Sequence, residues 1–252
     1  MPHHPQIFAH RGARRVAPEN TFPAMEAALA MGVDGIELDV HLSRDGRLVV
    51  IHDYALERTT NGHGLVVNHT AAELAALDAG SHFAPEYCAA GVPTLDQVLD
   101  LIGRACRINV EVKSEHPDGG PAVEPLAAMI RARRLYDQVI VSSFNPITLV
   151  KMRWQDPLVR LGLLYEERLP PHLVRAWFSP ILMPDALHPQ SSLVGGEDVQ
   201  LAHDRGMAVN TWTVNAIDEA RRLAALGVDA LITDIPDVLI GVLAGDALES
   251  VR

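Results

Sequence analysis

The sequence predicts an α/β protein folded as a (β/α)8 barrel. Apolar strand-like runs alternate with amphipathic stretches along most of the 252 residues. Eight such strands over about 250 residues are the number and the length of this TIM-barrel architecture. The predicted strands cover residues 6–10, 35–42, 107–113, 138–142, 160–165, 181–188, 207–213 and 229–233. Because periodicity alone does not show that a sheet closes, a doubly wound open sheet is the second candidate.

The helical stretches between the strands carry start and stop signals. They cover residues 20–31, 122–134, 146–154, 196–205 and 215–226. Thr94 with Gln97, and Thr70 with Glu73, have the spacing of a capping box, in which two free backbone N–H groups at a helix start find acceptors. Glycines stand where C-terminal caps belong, at positions 32, 206 and 227.

One segment after the second strand departs from this alternation. Asp45-Gly46 is a strong tight-turn signal, so residues 47–53 are predicted to return antiparallel to the strand as a hairpin. With these two residues at the centre of the turn, Asp39 faces His52 directly across the ladder.

The stretch between this hairpin and the third barrel strand is predicted to be a small insertion. Residues 54–93 contain glycine, histidine and alanine with one short helical pattern. We expect a cap over one rim of the barrel rather than a second domain. The whole chain, residues 1–252, is then one domain.

Composition limits the partners and the compartment. The net charge is −11 with histidines neutral, which argues against nucleic acid or an anionic membrane as the main partner. Cys88 and Cys106 are too few for a disulfide framework and are typical of a reducing compartment. The first strand begins at Gln6, which leaves no room for a leader, and no apolar run reaches transmembrane length. We therefore expect a cytoplasmic protein.

Two carboxylates in an apolar strand are the main chemical signal. Glu37 and Asp39 are two residues apart in strand 35–42, so their side chains point to the same face. Two neighbouring like charges need a cation or a hydrogen-bonding site to compensate them. Glu111 and Lys113 repeat the spacing on a later strand, so we expect a metal site beside a phosphate site. The alternatives are an exposed strand face for the first pair and a structural ion pair for the second.

Other polar residues stand at strand ends, where barrels of this kind carry their reactive groups. His10 and Arg11 end the first strand, His188 the sixth and Trp212 the seventh. These residues are therefore expected to converge on one rim. His188 is either a pocket-lining or a structural residue. Trp212 and Phe144 are either core or an apolar wall of the pocket.

The motifs around these residues resemble those of a known family. They are His10-Arg11-Gly12, Ala17-Pro18-Glu19-Asn20-Thr21, Glu37-Leu38-Asp39-Val40, Asp45-Gly46, Val50-Ile51-His52-Asp53, Leu56-Glu57-Arg58-Thr59-Thr60-Asn61-Gly62, Glu111-Val112-Lys113, Trp212-Thr213-Val214-Asn215, Gly227-Val228-Asp229 and Ile232-Thr233-Asp234. With these motifs in order over almost the whole chain, it resembles the glycerophosphodiester phosphodiesterase family. It looks most like the short cytosolic bacterial members. Arg14-Arg15 departs from the pattern, since members often have small residues there.

The resemblance implies a (β/α)8 barrel that uses a divalent cation to hydrolyse glycerophosphodiesters to sn-glycerol 3-phosphate and an alcohol. The implied roles are metal binding by Glu37, Asp39 and Glu111, catalysis by His10 and His52, and phosphate contact by Arg11 and Lys113. The partner is then a small-molecule diester, without stable membrane association. The oligomeric state is left open.

The chemistry of these residue types agrees with the implied roles. Three carboxylates without a cysteine partner suit a hard cation such as Mg²⁺ or Ca²⁺, with Mn²⁺ as a third choice. Two histidines can divide the proton transfers, one taking a proton from the nucleophile and the other giving one to the leaving alkoxide. Which histidine does which stays open. So does the choice between water and the glycerol 2-hydroxyl as the nucleophile.

Two other functions are weighed against this one. A lysophospholipase D-like phosphodiesterase would need a long apolar groove or a membrane-facing patch, and this polar, acidic chain shows no obvious one. A non-catalytic barrel that only binds glycerophosphodiesters or a partner protein would have lost an essential residue. Here both histidines, all three acids, Arg11 and Lys113 are present.

Overall fold

The computed structural model describes residues 4–169 and 182–249 of the chain. The strands are β1 (Gln6–His10), β2 (Gly35–Leu42), β3 (Leu48–Val50), β4 (Arg107–Val112), β5 (Val139–Ser143), β6 (Arg160–Tyr165), β7 (Ala186–Pro189), β8 (Ala208–Thr211) and β9 (Ala230–Thr233). Eight of them pair in parallel around a ring, and β1 closes the ring by pairing with both β2 and β9. The closed ring confirms the (β/α)8 barrel over the open doubly wound sheet.

The largest difference from the predicted strands is at the sixth barrel strand. It was predicted over residues 181–188 and is observed as β7, Ala186–Pro189. Met183 has a positive φ of 43° and Pro184 has no N–H to donate, so the extended ladder begins only after them. Ile181 lies outside the described residues.

Eight α-helices lie within residues 4–169 and 182–249. They are α1 (Phe22–Met31), α2 (Ala71–Ala75), α3 (Leu95–Ile102), α4 (Val123–Arg133), α5 (Pro146–Gln155), α6 (Gly196–Asp204), α7 (Ile217–Ala225) and α8 (Pro236–Glu249). The two capping boxes, at Thr70 and Thr94, are confirmed. The last helix is not among the predicted ones, because Gly241 and Gly245 interrupt an otherwise apolar run. No helix in the described parts of the chain is both long and apolar enough to cross a membrane.

Alternation along β2 separates the core from the barrel interior. Ile36, Leu38 and Val40 are fully buried in the cluster that packs the outside of the barrel against the helices. Glu37 and Asp39 occupy the intervening positions and therefore face the inside of the barrel. One strand thus contributes both to the main core and to a buried acidic group.

β3 pairs with β2 one position away from the predicted register. Three residues, 44–46, form the turn instead of two, and Gly46 takes the left-handed conformation, with φ 76°, that closes such a loop. Ile51 rather than His52 lies opposite Asp39 and donates its N–H to the Asp39 carbonyl at 3.1 Å. The prediction that Asp39 faces His52 is therefore wrong.

The segment 54–93 packs against the hairpin through a small apolar cluster. It contains α2 and two short 3-10 helices, Val66–Asn68 and Pro85–Tyr87. The buried members of the cluster are Val49, Ile51, Leu56, Val66, Ala71, Leu74, Ala79 and Val92. The segment therefore has a minor core of its own on the hairpin.

Candidate active site

A cavity of about 260 Å³ opens at the C-terminal end of the barrel. Side chains from strand ends and from the loops that follow them form its wall. The predicted site residues in this wall are His10, Arg11, Glu37, His52, Glu111, Lys113, Phe144 and Trp212. Positions scattered over two hundred residues are thus brought to one rim, as the strand-end pattern predicted.

The three predicted metal ligands form one buried cluster. Glu37, Asp39 and Glu111 each offer a carboxylate oxygen, and these oxygens all lie within 4.8 Å of one another. Lys113 Nζ lies 2.9 Å from Asp39 Oδ1 and 2.5 Å from Glu111 Oε1. Asn20 donates its side-chain N–H to Asp39 Oδ2 at 2.9 Å. The result is a compact set of oxygen ligands of the kind that hard divalent cations prefer.

Charge is not balanced within this cluster. Burial and the nearby carboxylates of Asp39 and Glu111 raise the pKa of Glu37 well above its ordinary value. Burial opposes ionisation of Asp39 as well, but Lys113 and Arg11 hold its pKa well below the usual range. Burial also raises the pKa of Glu111. A divalent cation would let all three carboxyl groups ionise together, so these residues fit a bound metal.

Each predicted catalytic histidine is held at Nδ1 by a carboxylate. His10 Nδ1 lies 2.7 Å from Asp234 Oδ1, and His52 Nδ1 lies 2.5 Å from Asp53 Oδ1. Because a carboxylate only accepts, Nδ1 carries the proton and Nε2 of the neutral ring can act as a base. His10 Nε2 lies 3.9 Å from Glu37 Oε2. Burial lowers the pKa of both rings.

Arg11 is directed into the site by a sharp turn after β1. Its φ is 58°, and that of Gly12 is 77°. A Cβ on Gly12 would lie 2.8 Å from the backbone of Ala24, so only glycine fits beside α1. The turn aims the Arg11 backbone N–H at Glu37 Oε2, at 3.1 Å, and brings its guanidinium within 2.9 Å of Glu19 Oε1.

One part of the cavity wall is aromatic. Phe144 and Trp212 meet edge to face, with ring centroids 5.4 Å apart and an interplanar angle of 88°. Trp212 Nε1 donates to the His188 carbonyl at 2.8 Å, which orients the indole. Of the two roles that the sequence left open for these aromatics, the structure supports an apolar wall of the pocket.

Of the two roles left open for His188, pocket-lining and structural, the structure supports the structural one, because the described cavity wall does not include this residue. Its side chain is fully buried inside the barrel and packs over Gly162. Asn210 donates to its Nε2 at 3.0 Å. The sequence predicts that this strand position faces inward, but not how far below the rim it lies. His188 therefore has a structural role.

We expect His188→Gln to make the protein less sensitive to acid. Burial lowers the pKa of His188 to about 3, from an ordinary value of 6.5. As the pH falls below 6.5, His188 is protonated in the unfolded chain but stays neutral in the folded one. The free energy of unfolding therefore falls as the pH drops from 6.5 towards about 3. Between pH 7 and pH 5 the fall from this group is about 2 kcal/mol.

The glutamine amide keeps an acceptor for Asn210 but does not titrate, so the variant should lack this part of the acid dependence. Urea unfolding of both proteins at the two pH values measures it. Equal losses of unfolding free energy in the two proteins would show that His188 is not the group responsible.

Several residues of the site were not predicted. They are Asp53 and Asp234 beside the histidines, Asn20 beside Asp39, and Asn109 and Glu166 in the cavity wall. Asp234 directly follows β9, so the strand-end rule could have found it. Asn20 stands just before α1, where an asparagine commonly caps the helix, but its side chain instead donates to Asp39. No local signal distinguishes these two uses of an asparagine before a helix.

Comparisons with known proteins agree with this site. Residues 10–238 match the family model described as "Glycerophosphoryl diester phosphodiesterase family". The chain is 38% identical over 239 residues to a glycerophosphodiester phosphodiesterase of Caldanaerobacter subterraneus, covering 94% of this chain and 97% of the relative. It is 35% identical over 246 residues to a Bacillus subtilis protein of the same name, covering 91% and 83% of the two chains.

Solved structures give the same result. A phosphodiesterase from Oleispira antarctica, in complex with the product sn-glycerol-3-phosphate, aligns with a TM-score of 0.83 at 31% identity, covering 95% of this chain and 97% of that one. A glycerophosphodiester phosphodiesterase from Agrobacterium tumefaciens aligns with a TM-score of 0.80 at 29% identity, covering 94% and 100%. The likeness extends over the whole barrel.

Proposed function

Because the chain belongs to the glycerophosphoryl diester phosphodiesterase family, it is a phosphodiesterase of glycerophosphodiesters, and we propose that the cavity described above is its catalytic site. The products are sn-glycerol 3-phosphate and an alcohol. One observation carries the assignment: two carboxylate-held histidines share a cavity wall with acids of the buried cluster. Such a cavity combines proton transfer with a place for a cation beside a phosphate.

His10 and His52 divide the proton transfers in this proposal. A neutral ring takes a proton at Nε2 from the attacking oxygen, and a protonated ring gives one to the departing alkoxide. The phosphorus–oxygen bond to the alcohol breaks as the new one forms. The attacker is water or the glycerol 2-hydroxyl, and in the second case water then opens a cyclic phosphate. Asp234 and Asp53 stabilise the cationic form of each ring through Nδ1.

Glu37, Asp39 and Glu111 would hold the divalent cation. Oxygen ligands without sulfur suit Mg²⁺, Ca²⁺ or Mn²⁺. When bound, the cation supplies positive charge that offsets the charge developing on the phosphate oxygens. Burial of the three acids keeps water from screening that charge.

Arg11 and Lys113 are proposed to contact the phosphate. Both are charged groups in the cavity wall, and the carboxylates of Asp39, Glu19 and Glu37 outweigh burial and raise the pKa of Arg11. The planar guanidinium offers a donor fork, whereas the ammonium acts as a point charge. Phe144 and Trp212 are proposed to face the glycerol carbons.

The wider setting of this activity is part of the same proposal. A net charge of −11 fits a small anionic substrate bound at a local cationic site better than nucleic acid or an anionic membrane. We propose a cytoplasmic enzyme of one domain, with residues 54–93 as a cap-like insertion.

The test is release of glycerol 3-phosphate by the full chain from glycerophosphocholine and glycerophosphoethanolamine. The protein is first treated with a chelator, and Mg²⁺, Ca²⁺ or Mn²⁺ is then restored in separate samples. We expect release to stop with the chelator and to return with at least one ion, because three buried carboxylates lose their counter-charge without it.

Undiminished release in the chelator would contradict the metal site. No release under any ion would contradict the hydrolysis of these diesters. In that case a single-chain lysophospholipid is the next substrate to test, and binding of the diester without turnover would identify a non-catalytic barrel.

A further inference from the structure

Arg58, which follows the hairpin in segment 54–93, contacts two carboxylates at the edge of the site. Its NH2 lies 2.7 Å from Glu19 Oε1, and its NH1 lies 3.2 Å from Glu19 Oε2. The same NH2 lies 3.1 Å from Asp53 Oδ1, and Nε also pairs with Asp53. The guanidinium therefore contacts both oxygens of each carboxylate.

Each of these carboxylates also holds a residue of the catalytic cavity. Asp53 Oδ1 accepts from His52 Nδ1 at 2.5 Å. Glu19 Oε1 accepts from Arg11 NH1 at 2.9 Å. Arg58 thus contacts a proposed catalytic histidine through one shared carboxylate and a proposed phosphate ligand through another.

Two chains of contacts meet at Arg58, one through Glu19 to Arg11 and the other through Asp53 to His52. They come from different elements. Arg11 follows β1 and His52 follows β3. The two strands pair with different stretches of the same edge of β2, β1 with Gly35–Glu37 and β3 with Val40–Leu42, while β4 takes the other edge. Backbone pairing alone therefore does not fix the side chain of Arg11 relative to that of His52. Arg58 joins them through its contacts to Glu19 and Asp53.

We propose that Arg58 is a positioning residue that sets His52 through Asp53 and Arg11 through Glu19. Segment 54–93 would then take part in the reaction without touching the substrate. The kinetic part of this inference rests on the proposed phosphodiesterase function, whereas the structural part concerns the ring of His52 alone.

The environment of the network supports this role over that of an ordinary surface ion pair. An exposed arginine–carboxylate pair usually contributes little, but a forked guanidinium in a network of several charges is the recognised exception. The side chain of Glu19 is only 8% exposed. Burial opposes its charge, yet Arg58, Arg11 and Arg14 lower its pKa to about 2. Arg58 and His52 likewise outweigh burial at Asp53 and lower its pKa to about 2.

The experiment compares Arg58→Met with a matched control, Arg44→Met. Arg44 also contacts both oxygens of one carboxylate, away from the cavity, since its NH2 lies 3.2 Å from Glu73 Oε1 and 3.0 Å from Glu73 Oε2. We expect Arg58→Met to lower kcat by about 10- to 100-fold, the usual cost of losing a partner behind a functional side chain, and to raise KM. The control should stay within about twofold of the parent in both.

Two further variants separate positioning from folding. Asp53→Asn removes the carboxylate through which Arg58 acts on His52, so Arg58→Met should lower kcat much less in that background. Arg58→Lys keeps the charge but cannot grip two carboxylates in a plane, so it should recover only part of the loss. Full recovery of kcat in Arg58→Lys would overturn the proposal. So would an Arg58→Met loss of kcat that is equally large with and without Asp53→Asn.

Nitrogen NMR of the His52 ring gives a result that does not depend on turnover. In the parent protein Nδ1 should be protonated and Nε2 bare, whereas in Arg58→Met the two signals should move towards each other as the tautomers mix. Unchanged signals, or kcat and KM within twofold of the parent, would overturn the role of Arg58. A parent protein that releases no glycerol 3-phosphate would refute the proposed function, while the ring signals would still decide the role of Arg58.

Discussion

Replacement of His10 by alanine is expected to lower kcat by at least about a hundredfold, the usual contribution of a positioned acid or base. The ring lies in the cavity wall with Nδ1 on Asp234 and Nε2 3.9 Å from Glu37 Oε2. Alanine leaves both the cluster and Asp234 in place but removes the group that moves the proton. The measurement is single-turnover release of glycerol 3-phosphate at saturating substrate and metal.

His52→Ala is expected to have the same effect, because its ring is held in the same way by Asp53. His63→Ala is the control, since the side chain of His63 is 88% exposed outside the cavity. Its kcat should equal that of the parent. Near-normal turnover in either active-site variant, with circular dichroism showing an intact fold, would remove that histidine from the mechanism.

The second large effect is expected for Glu37→Gln. An amide keeps the size of the side chain but removes one of three negative charges that lie within 4.8 Å of one another. Loss of a direct ligand should weaken metal binding by more than the roughly 10- to 100-fold that follows loss of an outer partner. Calorimetric titration of Mg²⁺, Ca²⁺ and Mn²⁺ into the metal-free protein measures this without any turnover.

Glu124→Gln is the matched control for this change. The side chain of Glu124 is 66% exposed on α4, and its replacement alters the net charge by the same amount. Its metal affinity should be that of the parent. If the two variants bind the ions equally well, Glu37 is not a ligand.

Most of the barrel could be predicted because its strands are short, apolar and regularly spaced. β2 and β6 begin and end at the predicted residues. The errors have local physical causes that periodicity does not reveal. A left-handed glycine enlarged the hairpin turn by one residue, and Met183 with Pro184 delayed the start of β7. Closure itself is a property of pairing between the first and last strands, which no local pattern contains.

The acidic cluster could be predicted because alternation on two strands brings Glu37, Asp39 and Glu111 to one face. The partners of the histidines depend instead on distant pairs, such as Asp234 with His10, whose positions are 224 residues apart. The pocket aromatics follow from the strand-end rule. The depth of His188 does not, because an inward position near a strand end can lie at the rim or beneath it.

The hairpin of β2 and β3 gives the two proposed catalytic histidines different structural support. β3 lies outside the hydrogen-bonded ring and pairs with the end of β2. Leu48 and Val50 pack into the main core, whereas Val49 and the following Ile51 belong to the minor cluster of segment 54–93. Local opening there would carry His52 away without breaking any pair of the ring. Cooperative units of unequal stability are common within a single domain. The acidic cluster lies on strands of the closed ring, whereas His52 follows a strand outside it. We therefore expect that catalysis can be lost while the barrel itself stays folded.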